Sequence, residues 1–537
     1  RVRGGRNRYF IRGEEVEIDE DIENDGLIMH RDFGGTAKWR ACYAAAGTGH
    51  AALYAVDSEV VRLGVTVRDR AEAVALVHDG RRCRGAVARC LRSGRFFTIA
   101  ARATVIATGG YGRIYGQYTT NATINEGMGA AIALNTGAVP LANMEAIQFH
   151  PTALSPSGIL VTEGCRGDGG FLLDKDLHRF MVDAEPAKQE LASRDVVSRH
   201  MAARMRDGKG VDTPSGPHLW LDIRHLGEEH LTTKLREVFD ICRDFAGLNP
   251  AHDLIPVRPT QHYSMGGVRV DKDGMAYGLE GLFAAGEAAC WDMHGFNRLG
   301  GNSLAETIVA GRVVGRSAAR YAAATTFDIS IGAVDEFRKA AEAHAAAWLE
   351  RTGSGRNVYE IRDAMAETMI GKVGIFRDGA EMRQAVDELR GLQDECRTTA
   401  LRCHSSGLNP ELTFAMRLEN MLRLARLVAE GALARTESRG AHFRTDFPLR
   451  NDAEWLNRTL ARWQPGSGDP EYSYEPVGLL DLPPGFRGYG SDERIEMTLA
   501  PADYNANVAD AQAREGRHET AEAFGERINW RAWEQYL

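Results

Sequence analysis

Hydrogen-bonding and cationic side chains are concentrated in one glycine-rich stretch of the chain, between Gln148 and Gly170. His150, Thr162 and Arg166 supply donors that can bind carboxylate oxygens, and the glycines let backbone N–H groups come close to a small ligand. This combination predicts a binding site for a small anion. The chain is therefore expected to be an enzyme that acts on a small acid.

A second segment, 297–304, places Arg298 before a glycine pair and the start of a predicted helix. The guanidinium can bind a carboxylate in a bidentate manner, and free N–H groups at the helix N-terminus can face an anion or an electron-rich ring. Taken alone, a tight turn with a surface arginine is an equally good interpretation. The carboxylate of Glu287, which can bind a sugar-like hydroxyl, favours the functional one.

The elements that must position these groups begin with a predicted helix over 50–66. Asp-Gly and Ser-Gly turns then separate three β-like runs, which predicts an antiparallel meander. The runs are Ala73–His78, Arg84–Cys90 and Arg95–Ala100. A further apolar run, 103–110, ends in Thr108, Gly109 and Gly110 and is interpreted as a buried strand whose tip reaches a ligand.

The segment that starts at Gly127 resembles a dinucleotide-binding loop only briefly. Ile132 occupies the sixth position of the pattern and no apolar strand precedes it. A helix over 127–136 is predicted instead. Further along, 153–259 contains short elements with glycine, proline and charged turns, which is typical of an inserted domain, and a helix is predicted from Arg194 with Ser193 as its N-cap.

Bulk composition excludes several classes of protein. The 537 residues exceed one ordinary core, and the formal net charge of -9 argues against a nucleic-acid partner. The eight cysteines form no CxxC pair, so no zinc, iron–sulfur or c-type haem site is predicted. No apolar stretch reaches the roughly 18 residues that a membrane span needs. Because the chain starts at Arg1 rather than at methionine, it is expected to begin within a domain.

Seven motifs occur in an order and spacing that resemble the flavoprotein subunits of succinate dehydrogenase and fumarate reductase. They are Thr108–Gly110, Gln148–Thr152, Thr162–Gly170, Ser193–Val197, Gln261–Gly267, Ala285–Ala289 and Asn297–Leu304. The resemblance extends through Thr436–His442 and Trp455–Leu460, so it covers nearly the whole chain. Tyr111–Tyr115 and Cys290–Phe296 look most like the fumarate reductases that pair with a dihaem cytochrome b.

The resemblance implies an α/β FAD-binding domain with an inserted α+β capping domain, a helical domain and a small C-terminal domain. The implied boundaries are 1–152 and 260–329 for the FAD-binding domain, 153–259 for the capping domain, 330–446 for the helical domain and 447–537 for the C-terminal domain. The first βαβ unit of the FAD-binding domain, about 30 residues or more, is missing from the chain. The flavin-linking histidine of the family is expected to precede Arg1 together with that unit.

The resemblance also implies roles for the polar residues. Four residues would hold the carboxylates of a C4 dicarboxylate: His150, Thr162, His262 and Arg298. Arg194 would transfer the proton, with Glu163 and Arg166 as its relay. A free guanidinium has a pKa above about 12. The predicted helix N-terminus at Arg194 and the positive charges of Arg166 and Arg298 would make its protonated form less favourable.

The implied cofactor is FAD, without its covalent attachment histidine in this chain. Glu287 would bind ribityl or ribose hydroxyls, and Ser303 and Leu304 would lie near the isoalloxazine. The nucleotide cleft would be lined by Glu126, Thr108, Gly109 and Gly110. No role is predicted for His294 or His50, and His442 is predicted to serve structure or a partner interface.

The implied partners are fumarate or succinate, an iron–sulfur subunit and a membrane cytochrome b subunit. The complex would lie peripherally on the cytoplasmic face of the inner membrane, with no nucleic acid and no metal held by this chain. Two alternatives stay open at this point. One is a soluble enzyme similar to L-aspartate oxidase, and the other is a flavin-free remnant that binds or assembles with other proteins.

Overall fold

The computed structural model describes residues 7–11, 14–18, 30–31, 41–43, 47–327, 330–353, 355–464 and 466–478. Most of the predicted C-terminal domain, 447–537, therefore lies outside the described residues. Two short antiparallel ladders come first in the chain: β1 (Asn7–Ile11) with β2 (Glu14–Ile18), and β3 (His30–Arg31) with β4 (Ala41–Cys42). The helix predicted over 50–66 is confirmed as α1 (Thr48–Arg62).

The predicted antiparallel meander is also confirmed. Its strands are β5 (Ala71–His78), β6 (Cys83–Cys90) and β7 (Phe96–Ala100), paired in that order. The next apolar run forms β8 (Thr104–Ile106), which is shorter than the predicted run over 103–110 and ends before the predicted glycines. After it comes the helix α2 (Met128–Leu134), whose N-cap Gly127 has a φ of 81°, a left-handed conformation that glycine adopts without strain. The predicted glycine-started helix is therefore present.

A four-stranded antiparallel sheet follows, in the order β10-β13-β12-β11. The short strand β9 (Leu141–Ala142), which belongs to another sheet, precedes it. The strands of this sheet and the helices between them are β10 (Ile147–Leu154), α3 (Gly164–Gly167), β11 (Phe171–Leu173), α4 (Met181–Ala184), α5 (Arg194–Arg204), β12 (Leu219–Asp222), α6 (Glu228–Thr233), α7 (Arg236–Ala246) and β13 (Ile255–Ser264). One cluster of buried apolar side chains lies entirely between Leu154 and Val257. This range falls inside the one predicted for the capping domain.

The chain then returns to the first half of the molecule through β14 (Gly267–Arg269), β15 (Leu282–Ala284) and β16 (Ala289–Cys290). The strand β15 pairs with β8 in parallel, so the segments that end at Gly110 and Gly286 emerge side by side. The helix α8 (Asn302–Ala324) follows. Strands from distant parts of the chain thus bring the predicted cofactor residues to one edge.

The region predicted to be helical contains four long helices: α9 (Ile331–Glu350), α10 (Val358–Lys372), α11 (Gly379–Thr398) and α12 (Pro410–Ala434). Asparagine side chains cap α10 and α12, as expected at helix N-termini. The remaining elements are β17 (Phe376–Arg377), β18 (Phe443–Arg444), α13 (Asp452–Trp455), β19 (Asn457–Arg462) and β20 (Glu471–Pro476). Strands β19 and β20 extend β9, β14 and β16 into a five-stranded sheet.

Candidate active site

The two predicted substrate histidines are brought together by a bulge in the β10–β13 ladder. Gln148 pairs with Tyr263, but the next residue, Phe149, pairs with Gln261, so His262 is the extra residue of the bulge. The rings of His150 and His262 have centroids 4.9 Å apart. A bulge re-aims a side chain, and here it turns His262 toward its predicted partner across the ladder.

Both histidines are neutral donors or acceptors rather than cations. Burial lowers the pKa of His150 well below its ordinary value, and the positive charge of Arg194 lowers it further. The pKa of His262 is likewise lowered by burial and by Arg298. The Thr152 N–H donates to His150 Nδ1 at 3.2 Å, which assigns the proton of the neutral ring to Nε2. His150 can therefore donate to a carboxylate oxygen.

The predicted proton-transfer residues form one buried row. Arg194, the first residue of α5, donates from Nε to Glu163 Oε2 at 2.9 Å, and its Nη2 lies 2.8 Å from the same oxygen. Arg166 Nη2 lies 3.6 Å from the other oxygen, Glu163 Oε1. Burial raises the pKa of Glu163, but Arg194 and Arg166 outweigh this effect and hold it below its ordinary value. Glu163 is therefore an ionised carboxylate between two arginines.

Arg298 lies nearby with much of its hydrogen-bonding capacity unused. It is 4% exposed, its guanidinium carbon lies 4.5 Å from the centre of the Tyr263 ring, and its Nε has no acceptor among the described residues. Burial and the charge of Arg194 lower its pKa to about 9. Thr162, half-buried in the turn before α3, accepts from the Gly164 N–H at 3.2 Å.

A chain of side-chain hydrogen bonds that the sequence interpretation missed joins the start of α5 to the segment before α8. Arg194 Nη1 donates to Gln148 Oε1 at 3.4 Å, and Gln148 Nε2 donates to Asn297 Oδ1 at 2.7 Å. Asn297 Nδ2 donates in turn to Asp195 Oδ1 at 2.8 Å. Gln148 also donates to the backbone oxygen of Arg298 at 2.6 Å. All four positions lay inside the recognised motifs, but their side-chain partners are 46 to 149 residues apart along the chain, so spacing alone carried no signal.

A second group was also missed. Glu306 Oε2 accepts hydrogen bonds from Tyr263 Oη and from His294 Nε2, each at 2.8 Å. His294, for which no role was predicted, thus contacts a buried carboxylate that also accepts from Tyr263, the residue whose ring lies under Arg298. By contrast, His50 is exposed on α1 and stacks on Tyr54 with centroids 5.9 Å apart. The buried His442 lies 2.6 Å from Arg377 Nη1, which supports its predicted structural role.

Glu287 and Gly110, two of the predicted cofactor residues, form a polar cradle whose chemistry suits the hydroxyls of a flavin nucleotide. Glu287 Oε1 accepts the Ser264 N–H at 2.8 Å, and burial raises the pKa of Glu287 to about 7. A Cβ at Gly110 would overlap this same Oε1, so only glycine lets the turn approach it. A carboxylate with an elevated pKa readily accepts hydrogen bonds from ligand hydroxyls, which lower its pKa again.

The start of α8 completes this cradle. Its N-cap is Gly301, and no side chain of the described residues caps the helix. The Asn302 N–H donates to the Leu299 backbone oxygen at 3.3 Å, which leaves the N–H groups of Ser303 and Leu304 for a ligand. Leu304 is 37% exposed and Ser303 is half-buried beside it, as a contact with a ring would require. Thr108 and Gly109 follow β8 beside the end of its partner strand β15. Glu126 differs, because its carboxylate lies 3.0 Å from Arg417 Nη1 of α12, and its predicted place in the nucleotide cleft stays a prediction.

The raised pKa of Glu287 leads us to expect that the stability of the flavin-free protein depends on pH. Its pKa in the folded protein, about 7, is raised above the ordinary value of 4.5. A group of this kind contributes stability below about pH 4.5, and that contribution is lost as the pH rises through about 7. We expect the melting temperature of the flavin-free protein to fall between pH 5 and pH 8, and this part of the fall to be absent from Glu287→Gln.

Differential scanning fluorimetry of both proteins across this pH range measures the difference. Glu280→Gln is the matched control, because that carboxylate is exposed and paired with Arg82. Parallel pH profiles of wild type and Glu287→Gln would contradict the raised pKa.

Two family profiles match this chain over most of its length. The family described as FAD binding domain matches residues 6–304, and the family described as fumarate reductase flavoprotein C-term matches residues 362–489.

Within the described residues, no group of three or more His, Cys, Asp or Glu side chains could hold a metal ion. Among the helices that the structure describes, none has the length and apolarity of a membrane span.

Individual proteins match at similar length. A fumarate reductase flavoprotein subunit of Helicobacter pylori is 46% identical over 520 residues, covering 91% of this chain and 72% of that protein. One from Mycobacterium tuberculosis is 41% identical over 481 residues, covering 87% of this chain and 82% of that protein. A solved variant of the quinol fumarate reductase of E. coli superposes with a TM-score of 0.83 at 36% identity, covering 87% of this chain and 82% of that one. Another structure, titled a quinol-fumarate reductase with menaquinol molecules, reaches 0.81 at 36% identity, covering 86% and 82%.

Proposed function

The chain belongs to the family of fumarate reductase flavoprotein subunits, and from this premise we propose that it interconverts fumarate and succinate with FAD. One observation carries the proposal. Two neutral histidines and an arginine that has no carboxylate partner among the described residues lie close to an arginine paired with a buried glutamate. The first group suits a dicarboxylate, and the second suits proton transfer.

FAD, when bound, supplies the hydride for fumarate reduction and accepts it in the reverse direction. Residues of the cradle would hold it: Glu287, Ser303, Leu304, Thr108, Gly109, Gly110 and, by prediction, Glu126. Arg298 binds one substrate carboxylate through its unused N–H donors, and His150, His262 and Thr162 bind the other with neutral hydrogen bonds. This division places the full positive charge at one end of the substrate.

Proton transfer is assigned to the row of Arg166, Glu163 and Arg194. The Arg194 guanidinium gives a proton to the alkene carbon that does not receive the hydride. A proton from solvent then passes by way of Arg166 and Glu163, which is hydrogen-bonded to Arg194 Nε, to the deprotonated Arg194, and Glu163 returns to its ionised form after each transfer. Succinate oxidation uses the same groups in reverse, with Arg194 taking the proton.

Movement of the capping domain is part of the proposal. Glu163, Arg166 and Arg194 belong to 153–259, whereas Arg298 belongs to 260–329, so the site is complete only when these two domains meet. In this proposal the hydrogen bonds from Gln148 to Asn297 and from Asn297 to Asp195 form the contact between them. Closure of this kind excludes water from the hydride step.

The proposal extends to the partners of the chain. Its relatives carry the name fumarate reductase flavoprotein subunit, and one solved relative is titled a quinol-fumarate reductase with menaquinol molecules. We propose that an iron–sulfur subunit and a membrane cytochrome b connect this chain to quinol. The complex would lie on the cytoplasmic face of the inner membrane, with this chain as its peripheral subunit.

Turnover of fumarate by the purified protein with reduced methyl viologen tests the function. We expect consumption of one fumarate for every two viologen radicals and no oxidation of L-aspartate. Aspartate oxidation without fumarate turnover would instead favour an enzyme similar to L-aspartate oxidase. The visible flavin spectrum of the same sample tests cofactor binding, and a folded but colourless protein would favour the flavin-free remnant.

A further inference from the structure

Arg298 carries a buried positive charge that no neighbouring carboxylate neutralises directly. Among the described residues, none of the carboxylates lies within ion-pairing distance of it. The one hydrogen bond of its guanidinium in the described structure is a 3.4 Å contact from Nη1 to the backbone oxygen of Leu299. A fully buried cation without compensation is costly, so another feature of the site must stabilise it.

The Tyr263 ring supplies part of this compensation. The guanidinium lies over its face at 4.5 Å, a geometry in which the negative face of the ring attracts the cation. Tyr263 is buried and donates its hydroxyl proton to Glu306 Oε2 at 2.8 Å. A phenol that donates to a carboxylate becomes more electron-rich, and its ring therefore attracts a cation more strongly.

Two hydrogen bonds hold the Glu306 carboxylate in this position. It is 4% exposed in the first turns of α8, and His294 Nε2 donates to the same oxygen at 2.8 Å. The rings of Tyr263 and His294 meet edge to face, with centroids 5.5 Å apart. The carboxylate therefore has two fixed donors, and through Tyr263 it is linked to Arg298.

We propose that Glu306 is a positioning residue for substrate binding, which acts through Tyr263 to keep the Arg298 guanidinium protonated and flat against the ring. His294 fixes the orientation of the carboxylate. The inference rests on the proposed function, because it concerns how the dicarboxylate is held. It also explains why a histidine and a glutamate with no predicted role are buried beside the substrate residues.

The variant Glu306→Gln tests this inference, since it keeps the size of the side chain and removes its charge. We expect KM for fumarate to rise about five- to tenfold while kcat changes less than about twofold. The dissociation constant of malonate, a dicarboxylate that does not react, should rise by the same factor in calorimetry on the oxidised protein. The malonate measurement reports binding without turnover.

The pH profile gives a readout that a merely structural role would not move. The ionisable groups that act on Arg298 are Arg194, Tyr263, Glu287 and Glu163. Tyr263 acts as a neutral phenol, because burial raises its pKa far above the ordinary value. Of these, Tyr263 is the one that Glu306 contacts, so removing the Glu306 charge weakens the stabilisation of the Arg298 cation. The basic limb of kcat/KM should therefore move to lower pH in Glu306→Gln, by about half a unit to one unit.

Two further variants complete the test. Tyr263→Phe keeps the ring and removes the donor, and the double variant Tyr263→Phe with Glu306→Gln should be no worse than the poorer single variant. Glu430→Gln is the matched control, because Glu430 accepts from Tyr472 Oη at 3.2 Å in the helical part of the molecule. We expect it to leave KM and the pH profile unchanged.

The outcomes separate this inference from the proposed function. If wild type reduces fumarate but Glu306→Gln keeps the wild-type KM, malonate affinity and pH profile, the inference is wrong and the function stands. Multiplicative losses in the double variant would also overturn it, because Glu306 would then act independently of Tyr263. If wild type fails to turn over fumarate, the function itself fails, while the malonate comparison still tests how Arg298 is held.

Discussion

Replacing Arg194 with Gln is expected to lower kcat for fumarate reduction by about 10³-fold or more, the range over which a positioned general acid acts. Arg194 places two nitrogens within 2.9 Å of Glu163 Oε2 and reaches Gln148 from its third. Gln can occupy part of this space, but it cannot release a proton to carbon. The KM for fumarate should change less than about threefold, because Arg298 and the histidines remain.

The flavin content and the melting temperature of Arg194→Gln establish that the protein is folded. Arg204→Gln is the matched control on the same helix, since Arg204 pairs with the buried Asp174 at 2.7 Å, and it should keep nearly full activity. Arg194→Lys is expected to be almost as inactive as Gln, because the amine cannot reproduce the two contacts with Glu163. Activity of either Arg194 variant within tenfold of wild type would contradict the assignment of the proton donor.

Replacing Arg298 with Met is expected to lower kcat/KM for fumarate by about 10² to 10³-fold, the loss that follows removal of one member of a buried charge pair. The physical reason is that Met preserves the packing against Tyr263 but leaves one substrate carboxylate without a cation. The loss should appear mainly in KM and in malonate affinity. Steady-state kinetics and calorimetry on the same sample measure both.

Arg258→Met is the control for this substitution. Arg258 lies on β13, is 4% exposed and stacks over the Tyr118 ring at 4.7 Å. It therefore has the same burial and the same kind of ring contact as Arg298. We expect its kcat/KM to stay within about threefold of wild type. An Arg298→Met variant that loses no more than this control would show that Arg298 does not bind the substrate.

Much of the secondary structure could be predicted because its signals are local. The Asp-Gly and Ser-Gly turns of the meander lie within the segment that they organise, and the glycine before α2 adjoins the helix that it starts. The family and the FAD-binding fold were likewise predicted from motifs and are confirmed by the two family profiles. The predicted domain boundaries stay predictions.

The sequence by itself determined the residue types that we predict to bind a substrate: two histidines, a threonine and arginines in glycine-rich segments. Only the tertiary structure decided how these groups are charged and held. The neutrality of His150 and the lowered pKa of Arg298 both arise from burial, which no local pattern encodes.

The same distinction explains the contacts that were missed. Glu306 pairs with a tyrosine 43 residues away, and the Glu126 carboxylate pairs with an arginine 291 residues away. Such partners are chosen by the packing of distant elements, whereas motif spacing reports only on neighbours along the chain. Most residues of the candidate site could therefore be predicted from the sequence. Their partners and their protonation states depend on how the strands and helices pack together.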